Sequence, residues 1–383
     1  MARFREYRPS IAAFLLMMAM ALTTSALSFF IGPVCDDLGF GRGSFTVYYS
    51  IMTASGTLAS PFLGKAIQRW GVRAVATVSA FWTAAGLLLF SFCSALWMFY
   101  LAGAFTGSFG TACVTLCASV MVQTCYQGST ASRLTGLVMA GSGLGGMIVS
   151  FLLPGLMADW GWRWGYRMTA FCWLALGLCA VWLLRGAQKA NAAERRQESG
   201  MTRAEAFRST RMYLLILVIF LLSAASGVQQ QLPAVLSDAG MDTARVRLTM
   251  SVFTAALALG KIGQGMLYGK AGPKVGGAVM VICYGLGYLL LGQSHILPGL
   301  LTLAVGMGTV TTLMPIVARV VFGGREYASI WSILSAVSNL GAMTAAPLFG
   351  TAFDMTGSYA GAMTAAAVLL IPALAALMAV YRK

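Results

Sequence analysis

The sequence predicts an all-α polytopic membrane protein, with twelve transmembrane helices in two six-helix pseudo-symmetric halves, and three observations predict it. Only 10% of residues are charged and 58% are hydrophobic, against roughly 25% charged in soluble domains. Twelve apolar stretches each approach the ~20 residues needed to cross a hydrocarbon core. A glycine-base pattern also occurs twice, 201 residues apart: Gly64-Lys-Ala-Ile-Gln68-Arg69-Trp-Gly71-Val-Arg73 and Gly265-Met-Leu-Tyr-Gly-Lys270-Ala-Gly272-Pro-Lys274. Both copies read glycine, four residues, a base, one residue, glycine, one residue, a base.

The spans are expected near 11–34, 44–68, 73–91, 95–122, 134–157, 166–184, 211–232, 246–269, 274–292, 296–320, 327–351 and 358–381. With a mean hydropathy of +0.78 over 383 residues, no sizeable soluble domain fits. The first apolar run is about twice a signal-peptide core and lacks a convincing cleavage site, so it is read as span 1. An even number of spans puts both termini on one side. The terminus-side segments then hold 20 of the 26 bases, the opposite loops hold five (Arg42, Arg163, Arg167, Arg245, Arg247), and Lys261 is the remaining one. That bias places both termini in the cytoplasm, in a multi-pass protein of the plasma (inner) membrane. The net charge of +15 therefore sets topology and meets anionic headgroups of the bilayer; no nucleic-acid partner is expected.

Span 1 ends at Gly32-Pro33, before Asp36-Asp37. Span 2 carries Tyr48, Tyr49, Ser50 and Thr53 and runs into the first glycine-base copy. Span 4 has Gly103 and Gly107 at a small-xxx-small spacing, followed by Ser108, Thr111 and Thr115; span 5 contains Gly141-Ser-Gly143-Leu-Gly145-Gly146. Such stripes let membrane helices approach closely, and packing is their plain reading. Between spans 5 and 6, Trp160, Trp162, Trp164 and Tyr166 read as an interfacial aromatic belt. The domains follow: a six-helix bundle over 1–184, a cytoplasmic linker over 185–210 and a second bundle over 211–383. Within the linker, Thr202-Arg-Ala-Glu205 matches a capping box. A second echo joins the halves, since Pro154…Asp159, Gly161 and Tyr166 correspond to Pro347…Asp354, Gly357 and Tyr359. Duplicated halves meeting around a midplane site are a recurrent transporter plan.

The eight cysteines (Cys35, Cys93, Cys113, Cys117, Cys125, Cys172, Cys179, Cys283) form no CxxC pair and read as small apolar packing. No metal site, phosphate loop or hydrolase signature is present; no cofactor is expected, and the chain is not read as an enzyme. All eleven acids fall at helix ends or in loops, and His295 lies in an outer loop. Lys261 is the exception among the charges. A lysine at a helix centre costs about 2.5–3.5 kcal/mol on insertion scales, relieved if it faces a wet cavity where an anion can pair with it. It lies about eight residues, or roughly 12 Å, from the terminus-side end of span 8. Two placements stay open: a cavity cation, which the depth favours, or a side chain reaching headgroups or a neighbouring carbonyl. Gln229, Gln230 and Gln231 end span 7, Asn339 lies mid-span 11 with Ser335 and Ser338, and Thr309, Thr311 and Thr312 lie in span 10. Each can bond a polar ligand or a neighbouring helix.

Both glycine-base loops resemble the motif joining spans 2–3 and 8–9 in the major facilitator superfamily, and the resemblance covers the whole chain. The resemblance implies the major facilitator fold and a conformational role for Gly64, Arg69, Gly71, Arg73, Gly265, Lys270, Gly272 and Lys274. The acid usual before the first base is replaced by Gln68 and Gly269. Within the superfamily, Gly260-Lys261-Ile-Gly-Gln-Gly265, the run from Phe322 to Tyr327 and Trp331, and Asp354 to Tyr359 are similar to the monocarboxylate transporter and oxalate–formate exchanger group. That group holds substrate carboxylate on an arginine at the place of Lys261; lysine keeps the charge but loses the bidentate fork. Leu257 stands where proton-coupled carriers have an aspartate, and Leu334 where oxalate exchangers have a second cation.

One cation suits one carboxylate. The expectation is a secondary active transporter of a small organic anion, a monocarboxylate, working as a monomer by alternating access, with a co-transported proton or an exchanged anion as its second partner. Lys261, Gln230, Asn339, Trp331, Tyr49 and Thr111 are the substrate-binding candidates. The alternatives are an efflux carrier for amphipathic compounds and a non-transporting membrane receptor.

Overall fold

The computed structural model describes residues 2–185, 199–226, 228–229, 232, 235–236, 239–356 and 359–381; within these, the side chains of 2–6, 28, 42–43, 111–112, 150, 243–244, 247 and 345–356 are not described. The helices are α1 (Ala2–Thr24), α2 (Leu27–Leu38), α3 (Arg42–Phe90), α4 (Leu96–Thr106), a π-helical turn (Gly107–Thr111), α5 (Ala112–Cys125), α6 (Gly128–Leu183), α7 (Arg203–Arg208), α8 (Thr210–Ala225), α9 (Thr243–Gly292), α10 (Ile296–Met307), α11 (Thr309–Phe322), α12 (Tyr327–Thr356) and α13 (Tyr359–Val380). Among the described residues the sole extended pairing is one isolated antiparallel bridge, Gly200 with Gly323.

Seven described stretches are long and apolar enough to cross a membrane. Three of them are too long for one crossing, because 49 residues of α3 would extend about 74 Å against a core of about 30 Å. Each is broken at one glycine, with nearly the same backbone conformation every time: Gly71 (φ 82°, ψ 158°), Gly161 (φ 79°, ψ 165°) and Gly272 (φ 79°, ψ 160°). A side chain at such a φ clashes with its own backbone, so only glycine turns the chain there without strain. Counting each broken helix as two crossings and adding the shorter apolar α8 and the 30-residue α12 gives twelve. The chain is a multi-pass, all-helical integral membrane protein. Its first helix differs from expectation. After a turn at Ser25-Ala26 it runs through Pro33 to Leu38 and stops at Gly39, whose φ of 70° caps it with an N–H to the Cys35 carbonyl.

The described contacts divide the chain into two compact units: Met1–Cys125 with Gly141–Ser199 and Arg325–Ala336, and Tyr126–Ala140 with Gly200–Gly324 and Val337–Lys383. In the first, glycines let helices touch backbone to backbone. A Cβ on Gly103 would meet the Tyr48 carbonyl at 2.7 Å, one on Gly141 the Phe14 carbonyl at 2.8 Å, and Gly107 sits against the Met52 carbonyl. The π turn has a local cause: Trp82 Nε1 donates to the Phe105 carbonyl at 2.7 Å and Ser108 Oγ donates to it at 2.8 Å, competing with the N–H that an α-helix would place there. Phe30 stacks on Tyr166 at 3.7 Å, and Phe45, Tyr48, Phe90 and Phe99 complete a buried aromatic core.

Trp162 belongs to that core rather than to an aromatic belt. It is 5% exposed, while Trp160 and Trp164 are 58% and 45% exposed. Its indole donates to Asp37 Oδ2 at 2.9 Å, and Arg163 reaches the same oxygen at 3.2 Å.

In the second unit α9 packs on α10, α13 and α11. Gly306 lies against Tyr284 and Gly287 against Leu303; the buried Tyr288 donates its hydroxyl to the Ala225 carbonyl. Ser223 and Ser338 share a hydrogen bond at 2.9 Å between α8 and α12, which is the helix-to-helix reading of Ser338. The capping box forms as read: Thr202 N–H donates to Glu205 Oε2 at 2.7 Å and Glu205 N–H to Thr202 Oγ1 at 3.3 Å. Just before it, Met201 N–H donates to the Phe322 carbonyl at 2.8 Å.

Candidate functional site

The two glycine-base copies have the same geometry. In each, the second glycine is the helix break (Gly71, Gly272) and the first is a helix crossing. Gly64 lies against Ser332, and a Cβ on it would meet the Ala328 carbonyl at 2.7 Å. Gly265 lies against Ser132 and Gly136, where a Cβ would meet the Ser132 carbonyl at 2.6 Å and Gly136 Cα at 2.9 Å. The bases flank the turns at the surface: Arg69, Lys270 and Lys274 are exposed and Arg73 is half-buried.

Lys261 stands one turn before Gly265 and eleven residues, about 16 Å along the axis, before the break at Gly272. Hydrocarbon surroundings force this glycine-rich stretch to stay helical, because backbone groups there find no other partners. Two of its glycines seat neighbouring helices: Gly260 faces Val305 of α10, and Gly265 faces α6. The lysine between them is half-buried. Its Nζ donates to the Met139 carbonyl of α6 at 3.5 Å, a long hydrogen bond.

Gln264 follows at the next turn and is 1% exposed. Its amide nitrogen donates to the Val305 carbonyl; Oε1 is buried with no hydrogen-bond partner. Gly308, the residue between α10 and α11, receives both side chains. A Cβ there would stand 2.9 Å from Lys261 Cγ and 2.9 Å from Gln264 Oε1. Thr312, one turn beyond Gly308, is fully buried and its hydroxyl also has no partner. Gln264, Gly308 and Met139 were not among the residues singled out from sequence. One signal existed for Gly308: it lies 201 residues after Gly107, the offset of the glycine-base copies, and both interrupt a span at the same place.

The other candidates fall as follows. Tyr49 is half-buried on α3, beside the fully buried Tyr48; Trp331 is 4% exposed with its indole N–H unpartnered. The Thr111 backbone closes the π turn, and its side chain lies outside the described residues, as does Gln230. Gln229 is exposed and Asn339 half-buried. Tyr49, Thr111 and Trp331 belong to the first unit, Lys261 and Asn339 to the second. Thr309 and Thr311 donate three residues back along the chain, to the Gly306 and Gly308 carbonyls.

The sequence profile of the Major Facilitator Superfamily matches residues 10–342. A protein of Gibberella moniliformis (strain M3125 / FGSC 7600) described as an MFS-type transporter is 24% identical over 307 residues, covering 78% of this chain and 73% of its own. Among solved structures, the E. coli fucose:proton symporter superposes with a TM-score of 0.77 at 14% identity, over 99% of this chain and 98% of that one. The human organic anion transporter MFSD10 superposes with a TM-score of 0.73 at 15% identity, over 97% and 99%.

Proposed function

We propose, from the premise that this chain belongs to the Major Facilitator Superfamily and is a transporter, that it carries a small organic anion, a monocarboxylate, by alternating access, with Lys261 holding the carboxylate. The observation that carries this reading is the cation itself. An ammonium fixed within an apolar span, against a neutral carbonyl, is an electrostatic site for one negative charge. The fold leaves the substrate open, since one similar structure is a fucose symporter and another an organic anion transporter; the substrate class rests on Lys261 alone. Tyr49, Thr111, Gln230, Trp331 and Asn339 are proposed to complete the binding surface. The halves are taken as 1–184 and 211–383 joined by 185–210, with both termini cytoplasmic in the plasma (inner) membrane and the chain acting as a monomer. Rocking of one half on the other turns on the breaks at Gly71 and Gly272 and the crossings at Gly64 and Gly265. With every acid at a helix end or in a loop, a coupled proton rides on the substrate or on Lys261.

The test is uptake of radiolabelled lactate, pyruvate, formate, oxalate and L-fucose into proteoliposomes. Saturable uptake of a monocarboxylate, lost in Lys261→Ala and partly kept in Lys261→Arg, is the expected result. Uptake of fucose alone, or acid uptake indifferent to Lys261, would overturn it. Stimulation by an inward proton gradient separates symport from exchange.

A further inference from the structure

Lys261 and Gln264 sit one turn apart on α9, and both side chains converge on Gly308. They differ in what they offer. The ammonium donates and carries charge. Gln264 gives an amide N–H to the Val305 carbonyl and leaves Oε1 without a partner, and a carbonyl oxygen can do nothing but accept. Burial without a donor is costly for such a group, and nearly all buried polar atoms in proteins have a partner. The unpartnered Thr312 hydroxyl lies one turn past Gly308 on the helix packed against α9. The stem of Lys261 and the amide of Gln264 thus pack on one glycine, with the ammonium bonded to the Met139 carbonyl and Thr312 one turn further along α11.

We propose that Gln264 is a specificity-determining residue, whose Oε1 accepts a hydrogen bond from a hydroxyl on the carbon next to the carboxylate held by Lys261. The transporter then favours 2-hydroxy carboxylates over the same acids without the hydroxyl. The inference rests on the carboxylate reading above and adds to it the donor that the substrate must bring. An acid without the hydroxyl satisfies Lys261 and leaves Oε1 bare, which is the arrangement by which polar sites reject analogues. Gly308 is part of the device, because any side chain there pushes Oε1 and Lys261 Cγ aside.

The experiment compares half-saturation constants for two pairs of acids, lactate with propionate and glycolate with acetate, in proteoliposomes of the native protein and of Gln264→Leu. The native protein is expected to prefer the hydroxy acid by about tenfold or more in each pair, and Gln264→Leu to bring the ratio near one. Should Gln264→Leu fail to accumulate, Gly308→Ala is read in the same way, since its methyl group displaces Oε1. Equal affinities in the native protein, or a preference that survives both variants, would overturn the inference while leaving the carboxylate reading in place. No saturable uptake of any of the four acids would overturn the carboxylate reading and this inference with it.

Discussion

Ser60 and Lys261 occupy the same place in the two copies of the repeat, four residues before the crossing glycines Gly64 and Gly265. Leu63 and Gln264 likewise correspond. Around them the skeleton is the same: a glycine crossing against a serine-bearing helix, then a glycine break with φ near 80°. The chemistry is not the same. Ser60 is 2% exposed and gives its hydroxyl to the Gly56 carbonyl of its own helix at 2.8 Å; Leu63 is simply buried. What the two copies share is a glycine crossing followed by a glycine break, and what they do not share is the polar pair Lys261 and Gln264. On the function proposed above, the first copy would serve as a joint alone, whereas the second would serve as joint and binding surface on one helix.

The largest expected effect breaks the second copy and spares the first. Lys261→Ala should reduce carboxylate uptake by about two orders of magnitude or more, as expected when one partner of a desolvated charge pair is removed. Thermal stability in detergent should hold or rise, since a mid-span lysine is itself costly. Loss of uptake with a large fall in Tm would instead mark Lys261 as structural. Next come the crossings. Gly64→Leu and Gly265→Leu drive a side chain into Ser332 and into Gly136, and each should cost about 1–3 kcal/mol; equal losses in Tm and transport would establish the two joints as mechanical equals. The breaks are subtler. Gly71→Ala and Gly272→Ala place a methyl group at φ 82° and 79°, a strain of about 1–3 kcal/mol, read as matched decreases in Tm. Smallest is Ser60→Ala, which removes a bond within one helix and should change stability by about 1 kcal/mol or less, with uptake unaltered. A strong effect of Ser60→Ala on uptake would dissolve the contrast between the copies.

Much of the fold could be read in the chain, because hydrocarbon imposes length and polarity on every crossing. The repeat stood out for a physical reason: turns with φ near 80° admit only glycine, so Gly71 and Gly272 are visible as letters. Pro33 misled, since proline often stops a helix, and here Gly39 stops it five residues past the expected end. Trp162 was grouped with Trp160 and Trp164 by composition; the break at Gly161 instead turns it inward onto Asp37. At the candidate site, Lys261 was conspicuous as a lone charge among apolar neighbours. Gln264 was not, because one amide in a glycine-rich stretch carries no signal until its nitrogen is seen to be taken and its oxygen left over. Gly308 was one of 44 glycines, distinguished only once its neighbours were known.

The pairing of Gly200 with Gly323, with Met201 bonded to Phe322, also bears on how the chain can be divided. A polypeptide cut anywhere between Arg185 and Ser199 leaves that pin within the second fragment, together with α7 and its capping box. The second fragment therefore carries that pin close to its start.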